Sequence, residues 1–278
     1  MSKKLVKTPL RYPGGKSRVA QLLVSLMPEF KEYREPFLGG GSVFLTAKQE
    51  RPNARYWVND LYYDLFCFWA DARDNMPKLV SDTKVIRDAY LTLEDGGRKL
   101  HEKLTEKIEQ YATDSIHAKA VAFFILNRIT FSGTSLSGGY SQESFDKRFT
   151  ASSIERLQKI APVIQGTKLT CSDYSELLHA PGDDVFIFLD PPYYTATKSA
   201  LYGKNGELHK GFDHERLAAE LKDCPHKWMM TYDNCDYIKE LYKDFNIIPF
   251  EFAYGMRNAV PGNNMTGKEV LITNYEDF

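Results

Sequence analysis

Five consecutive apolar residues, Val185–Leu189, lie between a pair of aspartates and a pair of prolines. An unbroken apolar run of this length, bounded by turn residues, is typical of a strand buried on both faces of a parallel sheet. The prolines end the strand, because proline has no N–H to donate to the ladder. Asp190 is therefore predicted to lie just past the carboxyl end of a central strand, the edge at which open α/β sheets bind ligands.

Two other segments are predicted to be strands that are followed by an acidic residue. Residues 56–58 precede Asp60, and residues 168–171 precede Asp173. Further strands are predicted at residues 228–231, 247–253 and 269–273, with helices between them. Asp213 is predicted to cap the helix that follows it. Alternating strands and helices predict an α/β fold with a Rossmann-like sheet.

Helical periodicity dominates the middle of the chain. Residues 98–110 carry Leu100, Leu104 and Ile108 on one face, and Ile116–Ile129 is apolar enough to be a buried helix. A mostly helical segment inside an α/β pattern predicts an inserted subdomain. The predicted division is therefore residues 1–62 and 164–278 for the main domain and residues 63–163 for the insertion.

Composition excludes several classes of protein. The 278 residues are 43% hydrophobic and 26% charged, with a net charge of −1, so the chain is globular and not a generally basic coat protein. No apolar run approaches the ~20 residues that span a membrane, and no signal peptide is recognised, so a cytoplasmic location is expected. The four cysteines and six histidines show no disulfide or metal-ligand spacing, and no metal is expected.

Residues 33–45 read as strand, glycine turn and helix, with the turn at Gly39, Gly40 and Gly41. Glycines allow close approach to a ligand, and the helix N-terminus behind them offers free N–H groups. The spacing is not G-x-G-x-x-G, so the ligand need not be a phosphate. Asp60 follows at the distance where nucleotide-binding folds place a ribose ligand, although it could equally cap the next helix.

Three motifs together resemble the Dam-type DNA adenine methyltransferases: Y-P-G-G-K at residues 12–16, E-P-F-L-G-G-G-S at residues 35–42, and D-P-P-Y at residues 190–193. The resemblance covers nearly the whole chain and implies S-adenosylmethionine as cofactor. The cofactor-binding residues that it implies are Tyr12, Gly14, Lys16, Glu35, Pro36, Phe37, Gly39, Gly41, Ser42, Asp60, Asp173 and Asp190. For Asp173 alone, a helix cap is an equally good interpretation.

The catalytic residues predicted from this resemblance are Asp190, Pro191, Pro192 and Tyr193. An exocyclic base amine is flat and conjugated, so its lone pair is a poor nucleophile. A carboxylate and a carbonyl that accept its two N–H bonds would correct this, and Asp190 and the Pro191 carbonyl are the expected pair. Tyr193 offers a face for stacking on a base that has left the duplex. No catalytic cysteine is expected.

Residues 127–141 are polar and glycine-rich, which predicts an extended hairpin or loop. Dam-type enzymes carry Asn-Arg-x-x-aromatic-x-Gly at the start of their target-reading hairpin, and the segment matches this as far as Gly133. The DNA-binding residues predicted here and in the long loop of residues 194–211 are Asn127, Arg128, Phe131, Ser135, Leu136, Tyr140 and Lys198. A loop that packs against the catalytic domain is the alternative for residues 127–141. Beyond Gly133 nothing matches the residues that read GATC, so the target sequence stays open.

The resemblance implies double-stranded DNA as the partner, with adenine N6 as the methylated atom. Two alternatives remain: an amino-methyltransferase that acts on cytosine, RNA or protein glutamine, and a DNA-binding relative that has lost its activity. Asp190 favours adenine, and the filled catalytic positions argue against an inactive protein. A cognate restriction endonuclease stays open as a further partner.

Overall fold

A seven-stranded sheet forms the centre of the protein in this computed structural model, which describes residues 5–108, 115–135, 138–194, 211–252 and 267–276. The strands run in the order β3-β2-β1-β4-β5-β7-β6. The first five are parallel, and β7 is antiparallel to both β5 and β6. Their bounds are Glu32–Glu35 (β1), Arg55–Asn59 (β2), Lys168–Thr170 (β3), Val185–Leu189 (β4), Lys227–Asp233 (β5), Asn246–Phe252 (β6) and Gly267–Thr273 (β7).

The predicted central strand is confirmed, and its side chains explain the layered fold. All five residues of β4 are buried. Phe186 and Phe188 pack into one hydrophobic cluster, whereas Ile187 and Leu189 pack into a second. Because side chains alternate across a strand, these two clusters lie on opposite faces of the sheet. Helices therefore cover both faces, as the unbroken apolar run predicted.

One face carries α1 (Ala20–Ser25), α2 (Ser42–Glu50) and a group of further helices, and the other carries short helices from the second half of the chain. The short helices are α9 (Ser175–His179), α10 (His214–Lys222) and α11 (Asp236–Leu241). Asp213 caps α10 as predicted, since its side chain accepts a hydrogen bond of 2.8 Å from the Arg216 N–H.

The predicted helical segment is mostly helical in its described part. Its helices are α3 (Tyr63–Asp74), α4 (Met76–Leu91), α5 (Gly96–Ile108), α6 (Ile116–Ile129), α7 (Gln142–Arg148) and α8 (Ala151–Ile164). Helix α6 is the buried one, and Leu100, Leu104 and Ile108 form the buried face of α5, as predicted. These helices share one hydrophobic cluster with β1, β2 and β4. The boundary between the two subdomains stays a prediction.

The strand order creates the place for a ligand. Strand β1 pairs with β2 on one side and with β4 on the other, so the chain's direction of travel through the sheet reverses between β1 and β4. Loops from the two strands diverge at such a switch point and leave a crevice at the carboxyl edge. None of the described helices is long and apolar enough to cross a membrane.

Candidate functional site

A cavity of about 480 Å³ opens at this carboxyl edge. Its walls come from the N-terminal loop, from the segments after β1, β2, β3 and β4, and from the start of α10 with the residues just before it. Every residue that the sequence assigned to the cofactor or to catalysis lines it: Tyr12, Gly14, Lys16, Glu35, Pro36, Phe37, Gly39, Gly41, Ser42, Asp60, Asp173, Asp190, Pro191, Pro192 and Tyr193. Six separate stretches of sequence therefore meet around one space, and the predicted residues come from five of them.

The glycine turn is shaped by two aromatic rings. Gly39 and Gly41 have φ values of 48° and 63°, which favour glycine. A Cβ on Gly39 would lie 2.9 Å from Cε1 of Tyr12, and one on Gly41 would lie 2.7 Å from Cζ2 of Trp69. The Trp69 indole N–H also donates to the Gly39 carbonyl at 3.1 Å. The turn thus needs glycine both for its backbone angles and for the close approach of Tyr12.

Asp60 is held at the end of β2 by backbone donors. Its two carboxylate oxygens accept from the N–H of Gly39 at 2.8 Å and from the N–H of Tyr62 at 2.9 Å. Burial raises the pKa of Asp60 to about 6, although both backbone hydrogen bonds act to lower it. Each oxygen keeps a further lone pair, so Asp60 can support the turn and accept from a ligand at the same time.

Asn59 joins three strand ends beneath the cavity. Its Nδ2 donates to the carbonyls of Pro36 and Ser172 at 3.1 and 2.9 Å, and its Oδ1 accepts from the hydroxyl of Thr170 at 2.8 Å. The side chain is buried, and its amide connects the carboxyl ends of β1, β2 and β3. Asn59 therefore fixes the positions of the segments that carry Phe37, Asp60 and Asp173.

Asp173 forms a two-point ion pair with Arg216 of α10, with N–O distances of 2.8 and 2.9 Å. One of its oxygens also accepts from the Ser175 N–H at 3.0 Å, at the start of α9, so the capping interpretation has a geometric basis. The hydrogen bonds from Arg216 lower the pKa of Asp173 to about 2. The carboxylate is therefore charged and rigidly oriented at the cavity rim.

An aromatic wall faces this ion pair. The ring of Phe37 lies 5.4 Å from that of Tyr174 and 5.7 Å from that of Phe212, measured between centroids. The Arg216 guanidinium lies 5.0 Å from the centre of the Tyr174 ring. A flat, weakly polar group would be accommodated between this wall and the hydrogen-bonding groups at the strand ends.

Glu35 lies under the cavity and is 2% exposed. The Tyr33 hydroxyl donates to its Oε2 at 2.6 Å. Burial, together with the nearby charges of Asp190 and Asp60, raises the pKa of Glu35 well above its usual value. Glu35 is hydrogen-bonded to Tyr33 of the same strand, and it lies at the strand end that leads into the glycine turn.

Asp190 sits in a cage of donors. Lys16 Nζ lies 2.8 Å from Oδ1 and 3.0 Å from Oδ2, and the Thr231 hydroxyl donates to Oδ1 at 2.7 Å. A carboxylate oxygen has two lone pairs, so Oδ1 is saturated while Oδ2 keeps one for an outside donor. The Tyr193 ring stacks on Tyr232 with centroids 5.7 Å apart. Burial and the charge of Asp190 raise the pKa of Tyr193 well above its usual value.

The residues predicted to bind DNA fall into two groups by exposure. Phe131 is 72% exposed and Tyr140 lies partly exposed, with Arg98 5.5 Å from the centre of its ring. In contrast, Asn127 is fully buried and Ser135 is 3% exposed. Leu136 and Lys198 lie outside the described residues, as does most of the loop of residues 194–211.

Asn127 is a connection between two loops. Its Oδ1 accepts from the Arg11 N–H at 3.0 Å, and its Nδ2 donates to the carbonyls of Arg11 and Gly133 at 2.7 and 2.9 Å. A Cβ on Gly133 would lie 2.5 Å from the Arg11 carbonyl oxygen. The loop that carries Phe131 is therefore tied directly to the loop that carries Tyr12 and Lys16.

The loop itself is a short hairpin-like closure, close to the predicted hairpin or loop. A 3-10 turn spans Phe131–Gly133, and a single antiparallel bridge joins Thr130 to Tyr140. Ser132 and Ser135 both have a φ of 52°, which is unfavourable for residues other than glycine. The backbone is therefore strained next to the exposed aromatic ring of Phe131.

Arg128 is buried beside the loop, 6% exposed, and its Nε has no hydrogen-bond partner among the described residues. Burial, together with the charges of Arg156, Arg11 and Arg148, lowers the pKa of Arg128 to about 9. Four guanidinium groups therefore cluster at the base of the exposed loop. Sequence reasoning missed three of them, because residues 11, 148 and 156 belong to separate elements.

Two more residues at the site were not predicted from the sequence. Thr231 lies in β5. It is the last residue of the strand predicted at residues 228–231, and this position at a strand end could have indicated a place in the site. Glu269 pairs with Asp233 across the antiparallel β5–β7 ladder. That register brings the first half of β7 to the same edge as Asp190, which no sequence pattern indicated. The described residues contain no cluster of acidic, histidine or cysteine side chains that could hold a metal ion.

Comparison with known proteins identifies what this arrangement is similar to. The model of the D12 class N6 adenine-specific DNA methyltransferase family matches residues 12–256. A Type II methyltransferase of Methanocaldococcus jannaschii, M.MjaIII, is 25% identical over 97% of this chain and 99% of its own length. The DNA adenine methylase of Vibrio cholerae is 26% identical over 71% of this chain and 70% of its own. The DNA N-6-adenine-methyltransferase of Escherichia phage P1 is 25% identical over 84% of this chain and 31% of its own.

Proposed function

Because this chain belongs to the D12 class of N6 adenine-specific DNA methyltransferases, which methylate the amine of adenine in DNA, we propose that it takes the methyl group from S-adenosylmethionine and acts at one specific duplex sequence. The observation that carries the proposal is the meeting of the glycine turn, Asp60 and Asp190 around one cavity. A binding site and a pair of amine acceptors thereby share one space.

The residues of the cavity fit the proposed cofactor. Asp60 presents acceptor lone pairs for ribose hydroxyls, and the wall formed by Phe37, Tyr174 and Phe212 offers flat faces for an adenine ring. Asp173, charged and held by Arg216, is placed to accept from an amino group. Bound here, S-adenosylmethionine would supply a methyl group already activated by a sulfonium centre.

Asp190 and Pro191 carry the chemistry of the amine. The free lone pair on Asp190 Oδ2 accepts one N–H of the target, and the Pro191 carbonyl accepts the other. Withdrawing both hydrogens from the ring plane makes the nitrogen lone pair available. The prolines and the contacts from Lys16 and Thr231 hold this geometry before the substrate arrives. Such alignment accounts for ~7–11 kcal/mol in well-oriented reactions.

The exposed loop around Phe131 is the proposed contact with DNA. A target adenine must leave the duplex to reach Asp190, and an exposed aromatic can occupy the gap that it leaves. The arginine cluster beside the loop suits the phosphates of the backbone. Asn127, being buried, acts beneath this surface as its support. A restriction endonuclease as partner stays a prediction.

Expression of the protein in a host lacking adenine methylation should produce N6-methyladenine in the host DNA. Nucleoside mass spectrometry of the digested DNA measures this directly, and sequencing of the methylated positions gives the target. A host that expresses Asp190→Ala is the matched control. Methylated cytosine without methylated adenine would reverse the assignment of the base.

Cofactor affinity should weaken as the pH falls through about 6, because Asp60 has a pKa raised to about 6 and loses an acceptor when protonated. Above this pH the carboxylate is ionised and the affinity is at its maximum. Titration calorimetry across pH 5 to 8 measures the change. Asp60→Asn should bind weakly at every pH and show no step near 6. Asp60→Ala binding as tightly as wild type would show that the ribose contact is assigned to the wrong residue.

A further inference from the structure

Glu269 lies within reach of the catalytic segment, on a strand that neither the motifs nor the relatives' names connect with the chemistry. Its position opposite Asp233 in the β5–β7 ladder brings it to the carboxyl edge of the sheet. Glu269 Oε1 is 4.0 Å from Lys16 Nζ, and its side chain is 16% exposed. The carboxyl group therefore faces the cage around Asp190.

Lys16 stands between two acidic side chains. An ammonium group has three N–H donors. Asp190 takes the shortest contacts, at 2.8 and 3.0 Å, and the Gly14 carbonyl lies at 3.3 Å. The Glu269 carboxyl group also approaches the ammonium, at 4.0 Å, which is the longest distance at which the two still form an ion pair. The Lys16 side chain is 6% exposed, so these groups and not water determine where its ammonium lies.

The second oxygen of Glu269 is unusual. Oε2 is buried and makes no hydrogen bond of normal geometry with a described residue, although the Tyr193 hydroxyl lies close enough to interact with the Glu269 carboxyl group. Burial and the charge of Asp190 raise the pKa of Glu269, whereas the charge of Lys16 and the Tyr193 hydroxyl act to lower it. An under-satisfied buried acid destabilises a fold, so Glu269 is poorly explained as a purely structural residue.

We propose that Glu269 is a positioning residue for methyl transfer, which acts by holding the Lys16 ammonium against Asp190. The proposal rests on the proposed function, since Asp190 is there the acceptor of the target amine. With Lys16 fixed between Glu269 and Asp190, the Asp190 carboxylate cannot rotate, and the remaining lone pair of Oδ2 stays directed at the substrate. Thr231 secures the same carboxylate from the β5 side.

The test is a double-mutant cycle with Lys16 at saturating cofactor and DNA. Glu269→Gln keeps the size of the side chain and removes its charge, and kcat should fall about tenfold with the KM for DNA and the cofactor Kd within about twofold of wild type. In a Lys16→Met background, Glu269→Gln should cause no further loss, because the residue acts through Lys16. Glu276→Gln, an exposed acid just beyond β7, should leave kcat unchanged.

Equal fold-losses of kcat in the two backgrounds would overturn the proposal, as would wild-type kcat in folded Glu269→Gln. If circular dichroism shows that Glu269→Gln is unfolded, Glu269→Asp replaces it. This variant keeps the carboxyl group but shortens the side chain by one methylene, which moves the group away from Lys16. A lowered kcat at unchanged cofactor affinity supports the proposal, and a wild-type kcat overturns it. Wild-type enzyme in the same assay separates the two failures, because absence of N6-methyladenine there contradicts the proposed function itself.

Discussion

Asp190→Ala should abolish methyl transfer while the protein still folds. The Asp190 carboxylate is the group placed to accept an amine N–H at the cavity, and Oδ2 is its oxygen with a lone pair to spare. Without it, the amine stays conjugated and unaligned, and the loss of kcat should be roughly 10³-fold or more. Single-turnover methylation of a duplex with labelled cofactor measures the loss.

Asp190→Asn refines the same experiment. The amide keeps the volume of the carboxylate and leaves an oxygen for the Thr231 hydroxyl, but it places an N–H₂ group where Lys16 or the target amine needs an acceptor. Asp183→Ala is the matched control, because Asp183 precedes the same strand β4 at its opposite end and is paired with the exposed Lys31. Full turnover by folded Asp190→Ala would remove Asp190 from the mechanism.

The strand and the strand-end acid could be predicted because they are local. A five-residue apolar run, two prolines and an aspartate determine β4 and Asp190 without reference to the rest of the chain. The same is true of the glycine turn, whose glycines are needed for the local backbone angles. In the turn, however, the close approach of Tyr12 adds a second requirement that no local pattern indicates.

Partners that are distant in sequence could not be predicted. Asp173 was assigned to the cofactor or to a helix cap, and the ion pair with Arg216, 43 residues later, was missed. Thr231 meets Asp190 across 41 residues, and Glu269 depends on the antiparallel register of β7. These contacts follow from strand order, which the spacing of apolar residues does not specify.

Exposure in the DNA-reading segment also could not be predicted from the motif. Asn127 and Phe131 are four residues apart, yet one is fully buried and the other is 72% exposed. The difference arises because Asn127 lies in the buried helix α6 and is bound to Arg11, 116 residues earlier, whereas Phe131 lies beyond the end of that helix. A motif match identifies the segment, and tertiary packing decides which of its residues can touch DNA.

Phe131→Ala should reduce kcat/KM for duplex DNA about 10²-fold without changing cofactor affinity. The ring is exposed at a strained turn, and the Phe131 N–H is fixed by the Gly139 carbonyl at 3.1 Å, so the side chain is presented on a rigid base. An aromatic wedge of this kind stabilises the duplex after the target base has left it. Steady-state methylation of a duplex that contains the target sequence measures the loss.

A comparison of paired and mispaired duplex substrates distinguishes a Phe131 side chain that wedges into the duplex from one that only contacts DNA. A mispaired target adenine leaves the duplex with a smaller loss of base-pairing energy. Phe131→Ala should therefore lose far less activity on that duplex than on the paired one. Val85→Ala, which removes a 65% exposed apolar side chain from α4 of the same helical segment, should behave as wild type on both duplexes. Equal losses on the paired and mispaired duplexes would mean that Phe131 contributes to affinity and not to extrusion of the base.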